Sequence, residues 1–268
     1  MKQIPFIKMD GLGNDFIIID ARKNNITLTA TLIKKMADRK TGIGCDQLIV
    51  LKKSKVCDVK MDIYNADGST AGACGNGTRC VSSLIFEETK NKKITLEAPY
   101  KKVLTAWRGK LITVDMGKPQ IKWQDIPLSK QTDTLNVKIL PDLPPAVCTS
   151  MGNPHAVFFV KNVEKLDISK LGPKIENNKL FPQRTNVEFA QILGPQKIRM
   201  RVWERGAGIT MACGSGACAT LAGGVRRGLI RNKAAIIMDG GTLFIEQKEG
   251  RILMSGPVNK AFFGVYFA

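Results

Sequence analysis

Two cysteines of this chain stand in nearly identical glycine-rich segments. Cys74 lies within ACGNG and Cys213 within ACGSG, and a helix-compatible run follows each segment, TRCVSSLIFEET after Gly77 and ACATLAGGVRRG after Gly216. This pattern predicts each cysteine at the N-terminus of a helix. The helix dipole and the unpaired backbone N–H groups there favour a thiolate, and the glycines let the backbone approach an anion such as a carboxylate. We interpret each segment as an acid–base thiol beside an anion-binding loop.

The two segments belong to an internal repeat. Cys74 and Cys213 are 213 − 74 = 139 positions apart, which is about half of the 268 residues. The same offset, applied upstream without a gap, pairs Asn14 with Asn153, Gln47 with Asn186, Tyr64 with Trp203, and Asn65 with Glu204. A long ungapped register of this kind predicts two homologous halves related by a pseudo-twofold axis.

Two thiols in matching loops have the chemistry needed to invert a stereocentre. The pseudo-symmetry predicts that the halves face each other, with Cys74 and Cys213 on opposite sides of one cleft. A single base returns a proton to the face it left, whereas inversion requires a thiolate on one face and a thiol on the other. The intermediate carbanion delocalises into the substrate carboxylate, where the loop N–H groups are directed. Such a pair of thiols titrates as a unit.

The elements that must position these loops are predominantly strands. Runs rich in β-branched and aromatic residues, such as QLIVL, VKMDIY, AVFFV and IRMRVW, are typical of strands, and helices follow the glycine segments. The polar, proline-bearing stretch GKPQIKWQDIPLSK at 117–130 is the predicted connection between the two halves.

The other cysteines and the single histidine predict no metal site. Packing thiols are expected at Cys45, Cys57, Cys80, Cys148 and Cys218. A zinc site is disfavoured because the chain has no C-x-x-C spacing and only one histidine, His155, which on its own could be structural or catalytic. GLGNDF lacks the preceding strand and the glycine spacing of a dinucleotide loop. Since the cysteine loops supply base, acid and anion donors, we expect no cofactor.

The net positive charge of the chain raises the question of a nucleic-acid partner. Lys and Arg number 41 against 23 Asp and Glu, for a formal charge of +18. The lysines are scattered without an aromatic-interleaved motif, which favours a cationic solvated surface over a nucleic-acid groove. A basic nucleic-acid-binding protein is nevertheless the rival interpretation from a different class. The N-terminus shows no export signal and no apolar run approaches a membrane span, so we expect a cytoplasmic protein without a membrane partner.

Longer motifs carry a family resemblance. GLGNDF, GIGCDQLIVL, NADGSTAGACGNGTR, MGNPHAVFFV, TNVEF and RVWERGAG before ACGSGACA extend over nearly the whole chain. In this order they resemble the diaminopimelate epimerases, pyridoxal-independent enzymes of lysine and peptidoglycan precursor synthesis. The resemblance implies a cofactor-independent isomerase that interconverts LL- and meso-diaminopimelate, with Cys74 and Cys213 as the acid–base pair.

The resemblance also implies which residues contact the substrate. Backbone N–H groups at Gly75, Asn76, Gly214 and Ser215 would hold the reacting carboxylate. The rest of the pocket would be lined by Asn14, Gln47, Asn65, Asn153, Asn186, Glu204 and Arg205. His155 and Glu204 would adjust the ionisation of the cysteines.

The implied fold is α/β, with two pseudo-symmetric domains and the active site in the cleft between them. Each domain would be an antiparallel sheet curled round a central helix. Residues 1–117, with 258–268 returning to them, would form the first domain, and 118–257 the second. Family members commonly form homodimers, so a homodimer is expected.

Two positions depart from the family pattern, and one enzymatic alternative stays open. Asp10 stands where many members have His, and Ile209 where Glu is usual, but neither is assigned to chemistry. The alternative is a related two-cysteine racemase acting on proline or another amino acid with one stereocentre. RVWERGAG speaks against it, because Arg205 beside an array of amides suits a second carboxylate and amine.

Overall fold

The computed structural model describes residues 3–24, 26–72, 74–99 and 102–268. Ala73, the first residue of the segment ACGNG, lies outside the described residues. The chain divides into two compact units, the first made of Met1–Val114 with Gly256–Ala268 and the second of Asp115–Ser255. The boundaries predicted from the sequence lie a few residues from these.

Among the residues that the structure describes, each unit combines strands with two helices. The first unit contains β1 (Gln3–Gly11), β2 (Asn14–Asp20), α1 (Ala30–Ala37), β3 (Gln47–Lys52), β4 (Val59–Asn65), α2 (Gly75–Thr89), β5 (Lys93–Ala98), β6 (Lys102–Trp107) and the start of β7 (Ile112–Gly117). The second contains β8 (Val147–Ser150), β9 (Pro154–Phe159), α3 (Ile168–Glu176), β10 (Asn186–Gly194), β11 (Lys197–Glu204), β12 (Gly208–Thr210), α4 (Gly214–Arg226), β13 (Lys233–Met238), β14 (Gly241–Lys248) and β15 (Arg251–Gly256). The last strand, β16 (Asn259–Phe267), lies in the first unit. None of the described helices is long and apolar enough to cross a membrane.

The sheets are mixed. The strand order is β16-β1-β2-β3-β4-β5-β6-β7 in the first unit and β15-β14-β13-β11-β10-β9-β8 in the second, where β12 pairs with β11. The pairs β2/β3, β4/β5, β9/β10 and β11/β13 are parallel. Each of these pairs is joined through a helix, α1 to α4 in turn, because parallel neighbours need a crossover connection. The expected α/β class with two repeated halves is therefore present, but the sheets are not antiparallel throughout.

The repeat extends to the register of the strands. Leu48 pairs with Tyr64 between β3 and β4, and Val187 pairs with Trp203 between β10 and β11. Both members of the second pair lie 139 positions beyond those of the first. A slip of one residue would turn every side chain to the opposite face, so the shared register places equivalent side chains on equivalent faces in both halves.

Small residues let α4 lie close to the strands around it. The helix packs against β8, β9, β10, β13 and β14, which come from near both ends of the strand order of the second unit. A Cβ at Gly223 would lie 3.3 Å from Val147 Cβ of β8, and one at Gly224 would lie 3.4 Å from Phe159 Cζ of β9. The second sheet therefore curls round a central, buried helix. In the first unit, α2 packs against β1, β2 and β5.

The contact of α3 with β11 gives a stability prediction. A Cβ at Gly172 would lie 2.4 Å from Cγ of Trp203, whose Nε1 donates to Glu176 Oε2 at 2.6 Å and thereby fixes the ring. We expect Gly172→Ala to lower the free energy of unfolding by about 1–3 kcal/mol through overpacking, although alanine favours a helix. Equilibrium unfolding in urea measures the change in the free energy of unfolding. Gly194→Ala is the control, because a Cβ there meets nothing within 4 Å; equal midpoints for the two variants would contradict the prediction.

Candidate active site

Each of the two repeated cysteines is the N-cap residue of a helix. Cys74 precedes α2 with φ −131° and ψ 108°, and Cys213 precedes α4 with φ −126° and ψ 109°. Each Sγ accepts a backbone N–H from the glycine three residues later, Gly77 at 3.4 Å and Gly216 at 3.4 Å. The predicted location at a helix N-terminus is thus present in both halves, with nearly the same backbone geometry. An N–H donor and the positive end of a helix dipole both favour the thiolate.

The glycines after each cysteine are required by the strand beneath the helix. A Cβ at Gly77 would lie 2.7 Å from Ile49 Cδ1, and a Cβ at Gly216 would lie 2.7 Å from Glu188 Oε1. A larger residue would push the N-terminus of the helix away from the sheet and move the sulfur. The contact is apolar in the first half and involves a carboxylate in the second.

The residues predicted to hold the reacting carboxylate are the first two of each helix. Gly75 and Asn76 begin α2, and Gly214 and Ser215 begin α4. Backbone N–H groups in the first turn of a helix have no intrahelical acceptor. Each half therefore presents donors beside its thiol, as an anion-binding loop requires.

Asn14 connects the Cys74 thiol to an acidic side chain. Its Nδ2 donates to Asp46 Oδ2 at 2.9 Å, and its Oδ1 lies 3.6 Å from Cys74 Sγ and 3.4 Å from Asn76 Nδ2. Because a carboxylate only accepts hydrogen bonds, Asp46 determines which end of the amide faces the sulfur. Asn14 therefore presents an acceptor to the thiol.

Behind Asn14 lies an ion network that the sequence gave no reason to expect. Arg39 Nη2 contacts Asp15 Oδ1 and Asp46 Oδ1, each at 2.7 Å. Lys8 Nζ lies 2.6 Å from Asp15 Oδ2 and also donates to Gly44 O. Burial opposes ionisation of Asp15, but hydrogen bonds from Arg39 and Lys8 outweigh it and hold the pKa of Asp15 far below its ordinary value. This network fixes Asp46 and, through it, Asn14.

Gln47 and Asn65, both predicted in the pocket, lie side by side on β3 and β4. Gln47 Nε2 donates to Asn65 Oδ1 at 3.1 Å, and Asn65 Nδ2 donates to Ser69 Oγ at 3.0 Å. β3 lies between β4 and β2, and β2 begins at Asn14. The structure therefore brings the polar residues predicted in the first half to the same end of adjacent strands.

Cys213 occupies a more acidic environment. Only 4% of the residue is exposed, and its Sγ lies 3.6 Å from Ser215 Oγ. Burial raises the pKa of Cys213 well above its ordinary value, and the carboxylates of Glu204 and Glu188 raise it further. Burial also raises the pKa of Glu204, against hydrogen bonds from Thr210 and Cys213. Burial therefore shifts the titration of both groups toward the neutral form, relative to the free side chains.

The single histidine is fully buried and makes a hydrogen bond through each ring nitrogen. His155 Nδ1 is 2.7 Å from Glu188 Oε1, and its Nε2 is 3.0 Å from Asn153 Oδ1. Asn153 Nδ2 in turn donates to Ser215 Oγ at 3.3 Å. Glu188 was not among the predicted site residues, although the 139-residue offset aligns it with Ile49 and so marks a carboxylate in place of an aliphatic side chain.

Arg205 lies in a turn after β11 that is tied to the strand beside it. Its backbone N–H donates to Asn186 Oδ1 at 3.0 Å, and Asn186 Nδ2 donates to Pro154 O at 2.9 Å. Arg205 Nη1 donates to Gln183 O at 3.1 Å. Burial lowers the pKa of Arg205, and the charge of Arg184 lowers it further. Asn186 thus orders the turn that carries Arg205, in addition to its predicted place in the pocket.

The remaining thiols differ from the two N-cap cysteines. Burial raises the pKa of Cys45 to about 11, and those of Cys80 and Cys148 to about 12. Cys218 is also fully buried, whereas Cys57 is half-buried. Burial therefore agrees with the packing interpretation except at Cys57.

The two departures from the family pattern lie at surface strands. Asp10 Oδ2 accepts from Asn259 Nδ2 at 2.8 Å and so ties β1 to β16. Ile209 is 45% exposed and pairs with Trp203 between β12 and β11.

Comparisons with solved structures bear on the fold. A PhzF-family phenazine biosynthesis protein of Enterococcus faecalis superposes with a TM-score of 0.74 at 14% identity, over 100% of both chains. A hydroxyproline epimerase of Agrobacterium vitis superposes with a TM-score of 0.69 at 12% identity, over 99% of this chain and 91% of that one. At these identities the likeness shows the fold alone.

Comparisons of sequence identify the family. The diaminopimelate epimerase of Rhodospirillum centenum is 50% identical over 264 residues, covering 97% of this chain and 91% of that protein. That of Acidiphilium cryptum is 48% identical over 264 residues, covering 97% and 95%. The sequence model described as diaminopimelate epimerase matches residues 6–122 and 147–261. With matches of this length and identity, the chain belongs to the diaminopimelate epimerase family of isomerases.

Proposed function

We propose that this enzyme interconverts LL- and meso-diaminopimelate by proton transfer through Cys74 and Cys213. The observation that carries the proposal is that both thiols cap helices with nearly the same geometry, each with a glycine N–H at 3.4 Å from its sulfur. The relatives' names supply the substrate. In a cell, the product would enter lysine and peptidoglycan precursor synthesis.

In the proposed reaction, one thiolate takes the α-proton and the other thiol returns a proton to the opposite face. The charge that develops spreads into the α-carboxylate, where the first-turn N–H groups of α2 and α4 stabilise it. After one turnover the thiolate and the thiol have exchanged roles. Base, acid and anion donors all come from the chain, so the proposal includes neither pyridoxal phosphate nor a metal.

The surroundings of Cys213 support a role as the acid that donates first. Burial, Glu204 and Glu188 raise the pKa of its thiol, so it starts protonated. We assign Glu204 and His155 to this adjustment of ionisation, since both lie in the acidic environment of Cys213. Once Cys213 has given up its proton, the N-cap N–H of Gly216 stabilises the thiolate.

The distal end of the substrate is assigned to the polar residues that the cysteine loops do not use. Arg205 can bind a carboxylate through two N–H groups, and the amides of Gln47, Asn65 and Asn153 provide donors and acceptors. Such a site favours diaminopimelate over an amino acid with a single carboxylate. It also speaks against a proline racemase and against nucleic acid as the ligand.

The two cysteines give the first test of function. We expect Cys74→Ala and Cys213→Ala each to slow inversion of LL-diaminopimelate by at least roughly 10²–10⁴-fold, because each removes one of the two proton-transfer groups. The assay follows the α-proton by NMR in deuterated water, without added pyridoxal phosphate or metal. Any exchange that remains should affect opposite epimers in the two variants. Cys57→Ser is the control, and inversion at the wild-type rate in either alanine variant would refute the mechanism.

Arg205 tests the substrate. We expect lysine to be poorer than diaminopimelate by roughly 10⁴–10⁵-fold in kcat/KM, because it leaves the distal polar groups unpaired. Arg205→Met should remove most of this preference, whereas Arg205→Lys, which keeps the charge but not the paired N–H groups, should fall between. Comparable kcat/KM for lysine and diaminopimelate would favour a racemase of simpler amino acids.

We also propose that the enzyme is a cytoplasmic homodimer. A reducing compartment keeps both thiols free, as the reaction requires. For the dimer, the support is an exposed apolar surface on β16, the first strand in the order of its unit, where Phe263 is 84% and Phe267 58% exposed. A groove of about 460 Å³ beside it is lined by Pro5, Phe6 and Val265 among others. An exposed apolar edge strand needs a partner to avoid non-specific pairing.

The dimer proposal is tested at Phe263. We expect Phe263→Asp to shift the protein toward the monomer in sedimentation velocity at micromolar concentration, because it places a charge in the apolar surface. Phe244→Asp is the control, since Phe244 is 50% exposed but lies in the second unit. A wild-type protein that sediments as a monomer would contradict the proposal.

A further inference from the structure

The half around Cys213 contains a buried His–Glu pair where the half around Cys74 has apolar side chains. The 139-residue offset aligns His155 with Phe16 and Glu188 with Ile49. All four side chains are fully buried. Two ionisable groups in such a place are unfavourable unless they are paired, so their presence in one half only calls for a functional explanation.

The pair is connected to the sulfur by unbroken hydrogen bonds. The distances are 2.7 Å from Glu188 Oε1 to His155 Nδ1, 3.0 Å from His155 Nε2 to Asn153 Oδ1, and 3.3 Å from Asn153 Nδ2 to Ser215 Oγ. The last is 3.6 Å from Ser215 Oγ to Cys213 Sγ. The protonation of His155 therefore affects the hydrogen bonding of Cys213, although the two residues are not in direct contact.

The polarity of this chain follows from the acceptors at its ends. Both ring nitrogens of His155 lie against oxygens, Glu188 Oε1 and Asn153 Oδ1, and each contact is a hydrogen bond when the nitrogen carries a hydrogen. Asn153 then turns its N–H toward Ser215, and the serine hydroxyl is free to donate to Cys213. If Nε2 lost its hydrogen, the Asn153 amide would turn over and the donors would point away from the sulfur.

We propose that Glu188 is a positioning residue that keeps His155 doubly protonated, so that Asn153 and Ser215 donate toward Cys213 when it becomes a thiolate. This rests on the proposed function, in which Cys213 must pass through its thiolate form. Two further ionisable groups face this cluster: Cys148, whose pKa burial and the charge of Glu188 both raise, and Glu204 of β11, whose negative charge disfavours the Cys213 thiolate. The hydrogen bonds donated through Asn153 and Ser215 offset the unfavourable charge of Glu204. Within the described residues, Glu188 Oε2 has no hydrogen-bond partner, which leaves His155 as the partner of the carboxylate.

The single histidine makes the protonation directly measurable. The chain has one His, so ¹⁵N-imidazole labelling gives the two ring nitrogens of His155 without overlap. We expect both nitrogens to appear as N–H at pH 7 in the wild-type enzyme, and only one in Glu188→Gln. An unprotonated nitrogen in the wild-type spectrum would overturn the proposal, whether or not the variants fold.

Two variants separate the effect of charge from that of packing. Glu188→Gln keeps the shape and loses the charge, whereas Glu188→Asp keeps the charge and loses a methylene. We expect Glu188→Gln to lower kcat in both directions by roughly 10- to 100-fold, by analogy with the loss seen when a carboxylate that orients a metal-binding histidine is removed. KM should stay within about twofold, and Glu188→Asp should retain more activity and both N–H signals. A packing role predicts the reverse order, which would overturn the proposal.

A control variant and the cysteine variants together distinguish failure of this proposal from failure of the epimerase mechanism. Glu164→Gln is the matched control, since Glu164 pairs with Arg199 at 2.7 Å with 56% of its side chain exposed. If inversion requires both cysteines but Glu188→Gln matches wild type, the positioning role is wrong and the epimerase mechanism stands. If Cys213→Ala retains inversion, the mechanism itself fails.

Discussion

The hydrogen bond from a glycine N–H to the sulfur of an N-cap cysteine is the interaction on which this architecture depends. It requires the chain to leave a strand, turn through a glycine-rich loop and begin a helix directly above the sheet. That helix must also be the crossover between parallel strands, since only then does its N-terminus meet the ends of the strands that carry the polar side chains. The close approach to Ile49 in one half and to Glu188 in the other leaves no room for a Cβ at the third helical position. The position of the sulfur, the crossover helix and the glycine at its third position therefore depend on one another.

The two halves satisfy this constraint with different supporting chemistry. Around Cys74, apolar side chains lie under the helix, and the polar support comes from Asp46, held by Arg39 at the partly exposed edge of the unit. Around Cys213, the support is internal, through His155 and Glu188. In both halves an asparagine links the thiol to an ionisable group by hydrogen bonds. Asn14 contacts Cys74 directly, whereas Asn153 reaches Cys213 through Ser215. The repeated backbone geometry thus carries two thiols in different surroundings: Cys74 lies beside an acceptor on Asn14, whereas Cys213 lies beside Ser215 and two acidic side chains.

Much of this arrangement was predictable from the sequence, because it rests on local patterns that repeat. Glycines after Cys74 and Cys213 predicted the helix N-termini, and the constant offset anticipated the matched strand registers. The parallel strand pairs were missed, since alternation of apolar and polar residues does not give strand direction. Asp15 and Asp46 were missed because single acidic residues at strand ends carry no pattern. Glu188 lies in an otherwise ordinary strand, and only its alignment with Ile49 distinguishes it.

The pairing of β16 with β1 has a consequence for how the protein is made. The first strand pairs with a strand that is synthesised about 250 residues later, whereas Asp115–Ser255 is continuous and precedes that strand. At elongation rates of about 5–20 residues per second, the N-terminal sheet spends roughly ten to fifty seconds without its edge partner. The second unit therefore has the opportunity to fold before the first is complete, which reverses the usual N-to-C order. Nascent chains that terminate before β16 would expose the β1 edge while carrying an intact second unit.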